Sequence, residues 1–203
     1  MTLPTTRQKP ARSNQKSVGH VVLRIELEGV EPLIWRRVRV VPAVTLRRLH
    51  EILQIVMGWE DSHLHEFRAG DLVIGMKDVD DAPEDLQDEK AWSLGKLLKT
   101  GISEFTYVYD FGDDWDHRVV VEPATRGGAG ATSPLCLAGE NACPPEDVGG
   151  PHGYAMFLQA LADPKDQNHE QYTQWIGGVW DPKGFDLNHV NRELRALRSE
   201  RHR

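Results

Sequence analysis

The sequence predicts an α+β protein, an antiparallel β-rich layer packed on one helix with a helical C-terminal third. Three observations predict it. "VVLRIELEG" and "PLIWRRVRVV" alternate at period two, "VTLRRLHEILQIVMGW" switches to helical spacing, and the period stays helical beyond residue 150. No internal repeat is visible. The 203 residues suit one domain with a core of its own.

The opening segment, residues 1–18, carries Arg7, Lys9, Arg12 and Lys16 without an acid and shows no periodicity. It reads as a disordered basic arm ahead of a single domain over residues 19–200. In "PLIWRRVRVV", Ile34, Val38 and Val40 share the core face with Arg36, while Trp35, Arg37 and Arg39 share the other. Leu46, Leu49, Ile52, Leu53 and Val56 form one helical stripe, with Thr45 as N-cap and Gly58 as terminator.

"SHLHEFRAG" and "DLVIGM" read as a hairpin that puts His63, His65 and Phe67 on one side of a strand. The run from Asp78 to Glu89 holds seven acids and reads as a solvated loop. Ser93 caps a short helix. Residues 123–150 read as one long loop rich in Gly, Pro and Ala. Three helical segments follow, the last capped by Asp186 with Phe185 stapled to Val190.

"YVYDFGDDWDHRVVVE" predicts a second hairpin. A three-residue loop, Gly112 to Asp114, gives one coherent apolar face by pairing Phe111 with Trp115, Tyr109 with His117, Tyr107 with Val119 and Phe105 with Val121. Asp113 and Asp114 are then turn residues. Asp110 and Asp116 face each other on the opposite side, with Arg118 as a partner.

Several constellations bear on chemistry. His63 and His65, joined by His117, would make a three-histidine site for zinc or manganese with an open position for water. Glu146 and Asp147 sit in "CPPEDVGGPHGY", where Pro144 and Pro145 stiffen the approach to a helix. As ligands or acid–base groups they need a partner that the sequence does not locate. Cys136 and Cys143 lack C-x-x-C spacing; they read as small buried residues rather than zinc ligands with His152. The "DFG" string lacks the other kinase motifs, and neither a G-x-S-x-G elbow nor a P-loop is present.

Both ends are basic, so the body carries more negative charge than the chain's net −7. Such a body disfavours phosphate backbones. With no run of 18 apolar residues and no apolar leader, the sequence predicts a cytoplasmic protein without a membrane partner.

"EPLIWRRVRV", "LHEILQIVMGWEDSHLHEF", "YDFGDDWDHRV" and "CPPEDVGGPHGY", in that order, resemble the plasmid pRiA4b ORF-3-like family from about His20 to Leu197. The resemblance implies a compact α+β fold and a setting among plasmids and other mobile genetic elements; it implies no particular reaction. Relatives often carry a cysteine where this chain has Val148, which counts against a thiolate metal site here.

Three functions follow. The preferred one is a non-enzymatic interaction module with a protein partner, binding through Trp35, Arg37, Tyr109, Asp110, Trp115, Asp116, Glu146 and Asp147, with Trp59 as a further exposed aromatic residue. The second is a metal-dependent hydrolase built on His63, His65 and His117. The third is a nucleic-acid-binding accessory protein using Arg36, Arg37, Arg39, Arg47 and Arg48 as a patch.

Overall fold

The computed structural model describes residues 19–79, 82–122 and 133–199; the predicted basic arm lies outside them. The fold is α+β. One sheet has the order β5-β4-β3-β6-β7-β1-β2-β8, antiparallel throughout except for the parallel β4–β5 pair. Its strands are β1 (Val21–Leu27), β2 (Trp35–Val40), β3 (His65–Ala69), β4 (Leu72–Gly75), β5 (Gln87–Asp88), β6 (Glu104–Tyr109), β7 (Trp115–Glu122) and β8 (Leu135–Glu140). The helices are α1 (Leu46–Met57), α2 (Leu94–Leu98), α3 (Gly150–Ala162), α4 (His169–Ile176) and α5 (Leu187–Ser199). None is long and apolar enough to cross a membrane.

Alternation along β1 and β2 buries Leu23, Ile25, Val38 and Val40 on one face. α1 brings Leu46, Leu49, Ile52, Leu53 and Val56 into the same core, with Thr45 and Gly58 as its caps. α5 adds Val190 and Leu194, and the Arg48 guanidinium on α1 donates to the Leu197 carbonyl. The core is therefore packed by more than the one helix predicted, since α2 and α3 also contribute Leu94, Leu97, Tyr154 and Phe157. Asp186 caps α5 through the amides of Asn188 and His189, whereas Phe185 lies over the Arg36 guanidinium.

Arg36 is buried and held by four carbonyls, those of Val56, Trp35, Glu140 and Asn141. Among the described residues no carboxylate pairs with it, and burial pulls its pKa below the ordinary arginine value. These carbonyls fix α1 and the segment after β8 to β2.

Three expectations change. β8 lies inside the segment read as one long loop, pairing with β2 along the sheet edge. The acidic run is not wholly solvated, because β5 forms within it and Glu89 is buried at 1% exposure. The β6–β7 hairpin has the predicted apolar face but a different loop. Tyr109 pairs with Trp115, Tyr107 with His117 and Phe105 with Val119.

Asp110 causes that difference. It turns to φ +57, its Oδ1 accepts from the amides of Gly112 and Asp113, and its carbonyl accepts from the Asp114 amide. The turn therefore consumes residues 110–114. A shift by two residues keeps every side chain on its face, while Phe111 becomes exposed. Asp116 opposes Val108 instead of Asp110, and Arg118 pairs with Glu104 and Glu26.

Candidate functional site

Three segments converge at the β6–β7 turn: the loop from Glu60 to Leu64, the turn itself, and the Pro-Pro-Glu-Asp loop ahead of α3. His63 precedes β3 rather than lying in it. Its Nε2 stands 3.1 Å from Asp147 Oδ1, 3.6 Å from Asp110 Oδ2 and 3.8 Å from Glu146 Oε2. His63 Nε2 and Glu146 Oε2 are both buried atoms without a hydrogen-bond partner. Asp110 is nearly buried, Glu146 and His63 are mostly so, and Asp147 is open to solvent.

Local structure holds this arrangement. Asp147 sits at φ +58. The Gly149 amide donates to Asp113 Oδ2, binding the loop to the hairpin turn. Gly150, at φ +67, brings its backbone against the Asp113 carbonyl, where a Cβ would stand 2.6 Å from the oxygen. Only glycine allows that approach. Glu146 Oε1 accepts from the Glu60 amide at 2.7 Å and from the Tyr109 hydroxyl at 3.0 Å. The same hydroxyl accepts from the Ser62 amide. Desolvation raises the Tyr109 pKa above its ordinary value, so the hydroxyl keeps its proton.

His65 and His117 do not join His63. His65 is buried and contacts Glu89 Oε2 through Nε2 at 2.7 Å, and its ring stacks on His50 at 3.4 Å with 5° between planes. His117 is fully buried; its Nδ1 faces the Tyr107 and Trp115 carbonyls and its Nε2 accepts from Trp59 Nε1 at 3.4 Å. Desolvation lowers its pKa to about 4, so it is a neutral core histidine. The predicted three-histidine set is thus dispersed, because His63 lies in a loop and each of the others is committed to its own partners.

Two groups of donors gather among the described residues: His63 with Asp110 and Asp147, and His50 with Asp61 and His65. The first is built entirely from residues singled out in the sequence, although not from one predicted set. The second includes His50 and Asp61, which sequence reasoning missed. Its available signal was a histidine one turn after Leu46, on the apolar stripe of α1.

The other predicted binding residues lie elsewhere. Trp35 donates to Glu140 and lies under Arg24, and Arg37 is bidentate to Glu122. Trp59 and Trp115 are buried, with 6% and 0% exposure, and their rings pack at 5.5 Å; they offer no exposed aromatic face. Asp116 has one buried unpartnered oxygen and is not part of the cluster. Of the five arginines, Arg36 is buried, and Arg37, Arg47 and Arg48 pair with carboxylates. Cys136 and Cys143 are free, buried thiols whose pKa values burial raises.

Relatives share this chain at nearly full length. Uncharacterized protein y4hQ of Sinorhizobium fredii (strain NBRC 101917 / NGR234) is 39% identical over 178 residues, 87% of this chain and 91% of that protein. The crystal structure of a protein of unknown function, MM3350 from Methanosarcina mazei Go1, matches at a TM-score of 0.74 and 35% identity, covering 83% of this chain and 95% of that one. The model of the plasmid pRiA4b ORF-3-like protein family matches residues 20–189, and the chain belongs to that family.

Proposed function

We propose that the protein binds a divalent cation, zinc or manganese, at His63, Asp110 and Asp147, and uses it for hydrolysis. The carrying observation is a buried, unpartnered imidazole nitrogen ringed by three carboxylates. Ligands about 2.1 Å from a common ion stand about 3.0 to 3.4 Å apart for angles between 90° and tetrahedral. The 3.1 Å separation of His63 Nε2 from Asp147 lies within that spacing, and the 3.6 Å separation from Asp110 lies just above it. Three protein ligands leave a position for water, which a divalent ion makes acidic enough to supply a nucleophile near neutral pH. Glu146 adds a third carboxylate 3.8 Å from His63 Nε2. The carboxylate-rich donor set favours a hard or borderline ion over a thiophilic one.

The interaction-module reading keeps one supporting observation. Leu64 and Phe111, chain neighbours of His63 and Asp110, are each 46% exposed. They would serve equally as the apolar rim of a substrate site or as a contact for a protein partner.

Elemental analysis of the untagged protein, dialysed without chelator, tests the cation reading. Near-stoichiometric zinc or manganese is expected, with retention lost in His63→Ala and Asp147→Ala. Metal at background after growth with both ions added would end this reading and leave partner capture as the next experiment.

A further inference from the structure

The second donor group looks like a metal centre by composition but not by geometry. An imidazole takes a metal in its own ring plane. The His50 and His65 rings are parallel and stacked at 3.4 Å, so an ion shared between them would stand about 1.7 Å out of each plane. Both nitrogens of His50 are already occupied. Nδ1 faces the Tyr107 hydroxyl at 2.8 Å and Nε2 faces Asp61 Oδ1 at 2.7 Å.

The hydrogen-bond directions are determined. A carboxylate only accepts, so His50 Nε2–H donates to Asp61 and Nδ1 must accept. The Tyr107 hydroxyl therefore donates to His50, while it accepts from Gln54 Nε2 at 2.9 Å. The other end of Gln54 closes the circuit, because its Oε1 accepts from the Asp61 amide at 2.8 Å. Asp61 is thus gripped twice by α1, at its amide and at its carboxylate, in a backbone conformation of φ +56.

Asp61 lies two residues before His63. The amides on either side of it are also gripped by side chains: Glu60 by Glu146, and Ser62 by Tyr109. Three successive amides therefore have side-chain acceptors from three different elements.

We infer that the second donor group is the positioning apparatus of the first: Gln54 and His50, acting through Asp61, set the loop that presents His63 to the cation. This inference rests on the cation reading above and assigns Asp61 as an anchor rather than a ligand. Groups behind a ligand shape its affinity strongly; losing one lowers metal binding by about 10- to 100-fold.

The test is manganese titration of the full chain, with affinity and stoichiometry read by electron paramagnetic resonance, well below each variant's unfolding temperature. The wild type is expected to bind one ion. Gln54→Met keeps the side-chain length and removes both hydrogen bonds, and should weaken binding about tenfold. Asp61→Ala should do the same, while Asp61→Asn, which still accepts from His50, should stay within about twofold of wild type. Val38→Ala, a core truncation on β2, separates stability from positioning and should leave affinity unchanged. Unchanged affinity in both Gln54→Met and Asp61→Ala would overturn the inference and leave the cation reading standing. So would a second bound ion that Asp61→Asn removes, or an equal loss of affinity in Val38→Ala. A wild type that binds no manganese or zinc overturns both.

Discussion

His63 and His65 are two residues apart, yet their Nε2 atoms differ: that of His65 is paired with Glu89, and that of His63 has no hydrogen-bond partner. His63 points a buried nitrogen at Asp110, Glu146 and Asp147 without a hydrogen bond to any of them. His65 pairs with Glu89, stacks on His50 and lies over Phe67 and Tyr107 in the core. Arg47 adds a positive charge near both Glu89 and Asp61. Composition alone would make both clusters metal centres. What separates them is that both nitrogens of His50, Asp61 Oδ1 and His65 Nε2 already have partners, leaving only His65 Nδ1 open in that group, whereas His63 Nε2 has none. Unmet donors at the surface edge of a rigid loop point to a ligand, whereas donors that complete one another point to architecture.

Exchanging the clusters' fates is the strongest way to break this contrast. His65→Ala removes the hydrogen-bond partner of the buried Glu89 carboxylate, leaving only Arg47 near it, and should cost about 3 kcal/mol of stability, measured by denaturant unfolding. His63→Ala should change stability by less than about 1 kcal/mol while abolishing cation retention. Equal stability losses would erase the distinction.

A second test uses acid. Burial lowers the His50 pKa to about 3 and the His117 pKa to about 4, against an ordinary value of 6.5. The unfolded chain therefore takes up protons first as the pH falls below 6.5. Stability from these two groups is complete above that value and is lost on the way down toward 4 and then 3. A loss on the order of a few kcal/mol between pH 7 and pH 4 is expected from denaturation curves at fixed ionic strength. His117→Asn should flatten the pH dependence, and a slope that stays unchanged would remove His117 as its source.

The smallest effect sharpens the comparison at the loop that closes the His63 cluster. Gly150→Ala introduces a Cβ against the Asp113 carbonyl at a positive φ. It should cost about 1–3 kcal/mol and weaken cation binding together with stability. Gly101→Ala, also at positive φ but with nothing within 4 Å, should lower stability alone. Calorimetry with and without manganese distinguishes the two.

Much of the fold was legible because it is local. The period-two pattern of β1 and β2, the stripe and caps of α1, and the Ser93 and Asp186 caps are each written in a few neighbouring residues. The face of the β6–β7 hairpin was legible for a related reason, since a slip of two residues preserves parity. Its loop was not, because Asp110 leaves the strand to accept from its own turn, and alternation carries no trace of that choice. β8 was hidden in a segment whose composition reads as loop. Its partner β2 lies a hundred residues away, and the buried Asn191 that brackets Cys136 comes from α5. For the site, the individual residues His63, Asp110, Glu146 and Asp147 stood out, but their meeting depends on the turn at Asp110 and on Gly150 fitting under Asp113. Glu89 was invisible inside an acidic run, where only a tertiary contact distinguishes a buried carboxylate from its solvated neighbours.

The placement of Asp147 just ahead of α3 has a consequence for a chain leaving the ribosome. His63 and Asp110 are made before Asp147 and before the glycine that seats its loop. Until Asp147 has been made, the nascent chain has at most two of the three proposed ligands and no closed site. On the cation reading, the ion therefore cannot be held by all three ligands until Asp147 has been made.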